Sequence, residues 1–145
     1  MFRISTAFAL MLAGAAPAQE APVTYTVADS FENVTFAVES AIVGAGLVID
    51  HVSHTGEMLE RTRADVGSDR VLYTAADVFS FCSSTVSRAA MEADILNIQH
   101  CPYGIFVFET PDAPGQITVG HRAYGGTMAP VQNFLGAIVT EALGL

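Results

Sequence analysis

The chain has 145 residues, in which 15 acidic side chains outnumber 6 arginines, with no lysine, for a formal net charge of −9. So acidic a surface repels phosphate backbones and anionic lipid, which argues against nucleic-acid and membrane-surface partners. The length suits one domain with a real core.

Met1-Phe2-Arg3 gives a short positive start, Ala7 to Ala13 is apolar, and Ala16-Pro17-Ala18 is a small-x-small ending. These are the parts of a secretory signal peptide, residues 1–18, cleaved after Ala18. The apolar segment falls short of the ~20 residues that a bilayer span needs, and no later stretch is longer. Residues 19–145 are therefore expected in the periplasm as a single α+β domain, with no membrane span after signal cleavage.

Val23-Thr24-Tyr25-Thr26-Val27 alternates as a half-buried strand does. Asp29 or Ser30 offers a helix cap, with Glu32 completing a capping box from Asp29. Phe31, Val34, Val38, Ala41, Ile42 and Ala45 then recur at helical spacing, and Gly46 ends that helix. Gly44-Ala45-Gly46 sits at a helix exit, which is the wrong place for a nucleotide-binding turn. Leu47 to Val52 reads as a strand covered on both faces. Thr55-Gly56 opens a second helix that turns Met58, Leu59, Thr62 and Val66 inward and stops at Gly67.

Val78 to Phe81 is a strand, while Val71-Leu72-Tyr73 is undecided. Ser83 or Ser84 caps a third helix through Val86, Ala89, Ala90 and Met91. Ile105 to Phe108 is a buried strand, Thr110 to Gly115 a turn, and Gln116 to His121 the returning strand. Pro130 suits a first helical turn, and Val131, Phe134, Leu135, Ile138, Val139 and Leu143 form the stripe of a last helix. The fold class is α+β: a small, mostly antiparallel sheet packed with about four helices.

Cys82 falls at the end of one strand and Cys101 at the start of another, so the sulfurs meet if those strands are neighbours. In an exported chain the first expectation is a structural disulfide closing a loop of about 20 residues. A metal-holding thiol pair and a redox-cycling pair are the alternatives, the latter disfavoured by the lack of Cys-x-x-Cys. His100 and Cys101 beside His121, with Met91 or Met128, would make a soft copper set, and His51 with His54 a second histidine pair. None of these spacings is a specific metal signature. Covalent haem is excluded by the lack of Cys-x-x-Cys-His, which leaves non-covalent haem as the other cofactor alternative. Ser83 and Ser84 at a helix start, with Arg88, Tyr103 and Arg122, would line an anion pocket. The plainer expectation is that Ser83 caps its helix and the arginines pair with carboxylates. No Gly-x-Ser-x-Gly elbow or oriented Cys–His pair suggests catalysis.

Phe81-Cys82-Ser83-Ser84, Ser87-Arg88, Met91-Glu92-Ala93-Asp94, Asn97-Ile98, Cys101-Pro102-Tyr103 and Ile105 to Glu109 resemble the domain of unknown function 302 family. Asp50-His51, Ser53-His54 and Met58 to Arg61 extend the likeness. The resemblance implies a compact α+β fold that often pairs as a dimer, with no assigned chemistry and no catalytic residues to transfer. Many relatives carry a Gly-Asn-Pro turn where this chain has Cys82-Ser83-Ser84. The expected function is non-catalytic binding of a small ligand or a periplasmic partner protein, with no cofactor. The alternative is a redox accessory that binds copper or haem, or cycles its cysteines.

Overall fold

Period-2 patterning sets the first strand: Val23, Tyr25 and Val27 turn towards the core while Thr24 and Thr26 face outward along β1 (Val23–Ala28). The computed structural model describes residues 20–145, and the expected export signal, residues 1–18, lies outside the described residues. After β1 come α1 (Phe31–Gly44), β2 (Ile49–Ser53), α2 (Thr55–Thr62), β3 (Ala75–Phe81), α3 (Ser84–Ala93), β4 (Tyr103–Glu109), β5 (Gln116–His121) and α4 (Ala129–Leu143). Short 3₁₀ turns occupy Ile95–His100 and Gly126–Met128. The strands form one antiparallel sheet in the order β1-β5-β4-β3-β2, so the α+β architecture is as expected.

One sheet face is covered. Val34, Val38 and Ile42 of α1 and Val131, Leu135, Ile138 and Val139 of α4 pack on Phe79, Phe81, Ile105, Val107, Ile117 and Val119. Each such side chain contributes roughly 1.5–3 kcal/mol by leaving water. Strand register puts Val78, Ser80, Gly104, Phe106, Phe108 and Thr118 on the opposite face, where all six are only half-buried. The expectation of a fully buried β4 therefore fails on one side: Ile105 and Val107 are core, but Phe106 and Phe108 look outward.

Other local expectations also shift. Ser30, not Asp29, caps α1: its Oγ accepts the Asn33 N–H at 3.2 Å, while Asp29 Oδ1 accepts the Asn33 side-chain amide at 2.8 Å. With the cap one residue later, Glu32 no longer stands at the position that completes a capping box. β2 is the sheet edge and carries a register irregularity between Ile49 and His51, and Val48, just before the strand, is 76% exposed rather than covered. α2 stops at Thr62, and both Met58 and Val66 are exposed. Met58 turns out because of Gly56, where a Cβ would stand 2.6 Å from the Ala76 backbone nitrogen. Gly56 thus faces β3, and at 100° per residue Leu59 follows it inward while Met58 turns out. Val71-Leu72-Tyr73 belongs to no strand.

Candidate functional site

The β3–β4 register ends at Phe81 opposite Tyr103, so Cys82 and Cys101 lie just beyond the last pair. Their Cα atoms are 6.5 Å apart and the sulfurs are bonded. The bridge spans the whole β3–α3–3₁₀–β4 connection. Ser83 Oγ accepts the Val86 N–H and caps α3. Asn97 is buried and donates its side-chain amide to the Ala90 carbonyl at 2.8 Å and to Thr127 Oγ1 at 3.1 Å. Disulfide and Asn97 together fix the segment that runs from α3 into Pro102.

That segment forms one wall of a cleft of about 490 Å³ on the uncovered sheet face. Val78, Gly104, Phe106 and Pro102 give it an apolar floor, with Glu20, Ser80, Gln99, His100 and Arg122 as polar groups. The volume lies within the range of small-ligand sites. The Arg122 guanidinium stands 3.5 Å from His100 Nδ1; guanidinium only donates, so the imidazole nitrogen accepts. The His100 ring meets Tyr124 edge-on at 5.4 Å, and burial pushes the Tyr124 hydroxyl's pKa up despite the opposing Arg122 charge. Among the described residues, ion pairs join Arg63 to Glu60, Arg88 to Glu92 and His54 to Asp77, and none engages Arg122. Arg122 shares the cleft lining with the Glu20 carboxylate.

The residues expected to form an anion pocket are dispersed. Tyr103 is in the core, Ser83 serves as a cap, Ser84 is exposed, and Arg88 pairs with Glu92 at 2.9 Å on the surface. Of that set, Arg122 alone lines the cleft. The histidines are similarly scattered. His51 is exposed on edge strand β2, and His54 bonds Asp77 at 2.9 Å at the opposite end of β3. That bond and the Asp77 charge raise the His54 pKa above its usual value. His121 is fully buried: its Nδ1–H donates to the Arg122 carbonyl at 2.8 Å, and burial lowers its pKa. Met128 is core and Cys101 is taken by its bridge. Among the described residues, no three of His, Cys, Asp and Glu gather as metal ligands. None of their helices is long and apolar enough to cross a membrane.

The arrangement of a helix-covered antiparallel sheet matches a solved structure. That structure is the crystal structure of an uncharacterized conserved protein, DUF302, from Bacillus stearothermophilus, with a TM-score of 0.57 over 85% of this chain and 88% of that one. This chain has the DUF302 fold. Sequence identity is 15%, so the likeness concerns the fold and carries no site residues across. No family model matches the chain, and no curated protein matches it.

On this DUF302 fold the sequence reading missed Ser80, Gln99, Pro102, Gly104 and Phe106 as cleft residues. A signal for three of them was available. Ser80, Gly104 and Phe106 occupy the outward parity of their strands, opposite to the buried Phe79 and Ile105.

Proposed function

We propose that this chain is an exported, non-catalytic binding domain of the domain of unknown function 302 family, and that the cleft beside the disulfide holds its small-molecule ligand. The observation that carries the proposal is the cleft itself, where Val78, Pro102, Gly104 and Phe106 give an apolar floor and Glu20, His100 and Arg122 supply polar groups. Pockets of this kind combine apolar area with a few fixed polar groups that orient what enters. The role of Cys82–Cys101 is to brace Gln99, His100 and Pro102, all within two residues of Cys101, against the end of β3. Periplasmic residence is supported by the signal-peptide pattern of residues 1–18 and by a disulfide suited to an oxidising compartment. Phe36 and Val43 stand exposed on α1, a face suited to a second copy of the chain.

Native mass spectrometry of protein taken from the periplasm without reductant, followed by alkylation, tests the proposal. The expected result is a chain beginning near Gln19, with both cysteines protected, no metal or haem mass and a releasable small molecule; a homodimer would double the native mass. Freely alkylated thiols, or a bound copper or haem, would replace the proposal with the redox-accessory alternative.

A further inference from the structure

Two opposite charges share one flank of the cleft. Arg122 lines it from just after β5, and Glu20 lines it from the segment before β1. Strand pairing brings these distant positions together, since Val23 at the start of β1 lies opposite His121 at the end of β5. The Glu20 carboxylate reaches the stretch that follows Arg122: a Cβ on Gly125 would stand 3.8 Å from Glu20 Oε2. No ion pair joins Glu20 to Arg122, and among the described residues neither has another. The guanidinium donates to His100 Nδ1 at a long 3.5 Å, which leaves most of its five N–H groups for something else.

The apolar floor lies beside this pair of charges. Gly104 keeps it low, since even a Cβ there would approach nothing nearer than Val78 Cγ1 at 3.6 Å. The Phe106 ring extends it by stacking on Phe108 at 6.0 Å. A ligand with a single charge meets its like here: a plain carboxylate meets Glu20, and a plain amine meets Arg122. A zwitterion answers both, and it brings no net charge to a chain of net charge −9. The α-carbon of an amino acid joins a carboxylate, an ammonium and one side chain, the three groups that this flank and floor match. We propose that the cleft binds a free α-amino acid with an apolar side chain. Its carboxylate lies on Arg122, its ammonium on Glu20, and its side chain over Gly104 towards Phe106. The inference rests on the cleft being the ligand site and names the ligand class that the site takes.

The test is an amide-resolved NMR titration of the purified, disulfide-bonded protein with L-leucine, glycine, 4-methylpentanoate and 3-methylbutylamine. The last two are leucine without its amino group and leucine without its carboxylate. Expected are leucine-induced shifts at residues 99–104 and 122–125. Each one-charge analogue should bind about five-fold more weakly, since it loses one exposed ion pair. Glycine, with nothing to lay on the floor, should bind about ten-fold more weakly. Glu20→Gln should remove the preference for leucine over 4-methylpentanoate, and Arg122→Gln the preference over 3-methylbutylamine. Both positions are exposed, and the free spectrum of each variant checks its fold. An analogue that binds as tightly as leucine, a preference that survives its substitution, or leucine that leaves the cleft amides unshifted would overturn the zwitterion while the cleft stands. Glycine binding as tightly as leucine would overturn the apolar side chain. The cleft as ligand site falls separately, if no compound of any charge class shifts its amides.

Discussion

The ring of Phe106 lies against Gly120: a Cβ added to Gly120 would stand 2.6 Å from Phe106 Cζ and 2.5 Å from the Val23 carbonyl oxygen. Glycine at this position lets an outward phenylalanine fold over β5 and lets edge strand β1 approach it. The second contact is with backbone, so rotating the phenylalanine alone does not relieve it. Gly120→Ala is expected to cost about 1–3 kcal/mol, as overpacking does. The check is a lower urea midpoint at unchanged m-value.

His121 predicts acid sensitivity. Burial depresses its folded pKa, so as pH falls below the ordinary value of 6.5 the unfolded chain takes up a proton that the folded chain refuses. Stability from this group is present above 6.5 and is lost as pH falls towards the folded pKa, at up to about 1.4 kcal/mol per pH unit. The Nδ1–H bonds the Arg122 carbonyl, which leaves Nε2 as a buried acceptor with no donor among the described residues. His121→Leu should therefore flatten the stability profile between pH 7.5 and 5.5, as read by denaturation at each pH. A profile as steep as the parent's would mean that another group titrates there.

His54 contributes with the opposite sign. Its folded pKa is raised by Asp77, so its stabilisation is fully present below 6.5 and is lost as pH rises through the folded pKa. His54→Gln should accordingly lower stability more at pH 5.5 than at pH 8. An equal loss at both would show that the Asp77 contact acts through packing or a neutral hydrogen bond.

Much of the fold was legible because it depends on local period. β1, β5 and α4 follow their apolar patterns closely, and the hairpin between β4 and β5 is bounded by its Pro and Gly residues. The bridge was legible too, since two cysteines at facing strand ends need only adjacent strands to meet. The cleft was not, because its residues come from β3, β4, the 3₁₀ turn and the segment after β5, and only strand order brings them together. Composition equally gave no hint that β4 would have an open face: Ile105-Phe106-Val107-Phe108 is apolar throughout, whichever side is covered. The inward face of α2 was misread because Gly56 sits against Ala76, a tertiary contact that periodicity does not encode.

Removing the bridge should loosen more than the fold. Cys82→Ala with Cys101→Ala releases a connection of sequence separation 19, for which chain entropy predicts a loss of about 3 kcal/mol. Faster amide exchange at residues 98–102 is expected beyond the global change, because those residues keep Asn97 as their nearby anchor but lose the tie to β3. Uniform acceleration across the chain would contradict a bracing role for the disulfide.

Ser83 and Ser84 separate cleanly by substitution. Ser83 is buried and caps α3, so Ser83→Ala should cost about 1 kcal/mol. Ser84 is exposed in the first turn, and Ser84→Ala should change the denaturation midpoint by no more than about 0.5 kcal/mol equivalent.

The measurement that bears most directly on the central claim is an NMR screen of a mixed small-molecule library against the disulfide-bonded protein and its Gly104→Leu variant. Leucine at 104 projects from the floor of the cleft and fills it without entering the core, since that face is half-exposed. The account predicts that hits on the parent shift amides at residues 99–104 and 122–124, and that the same compounds no longer bind the variant. Hits that cluster in the groove of about 640 Å³ between α1 and α4, lined by Phe36, Ala41, Phe134 and Ile138, or that bind the filled variant unchanged, would contradict it.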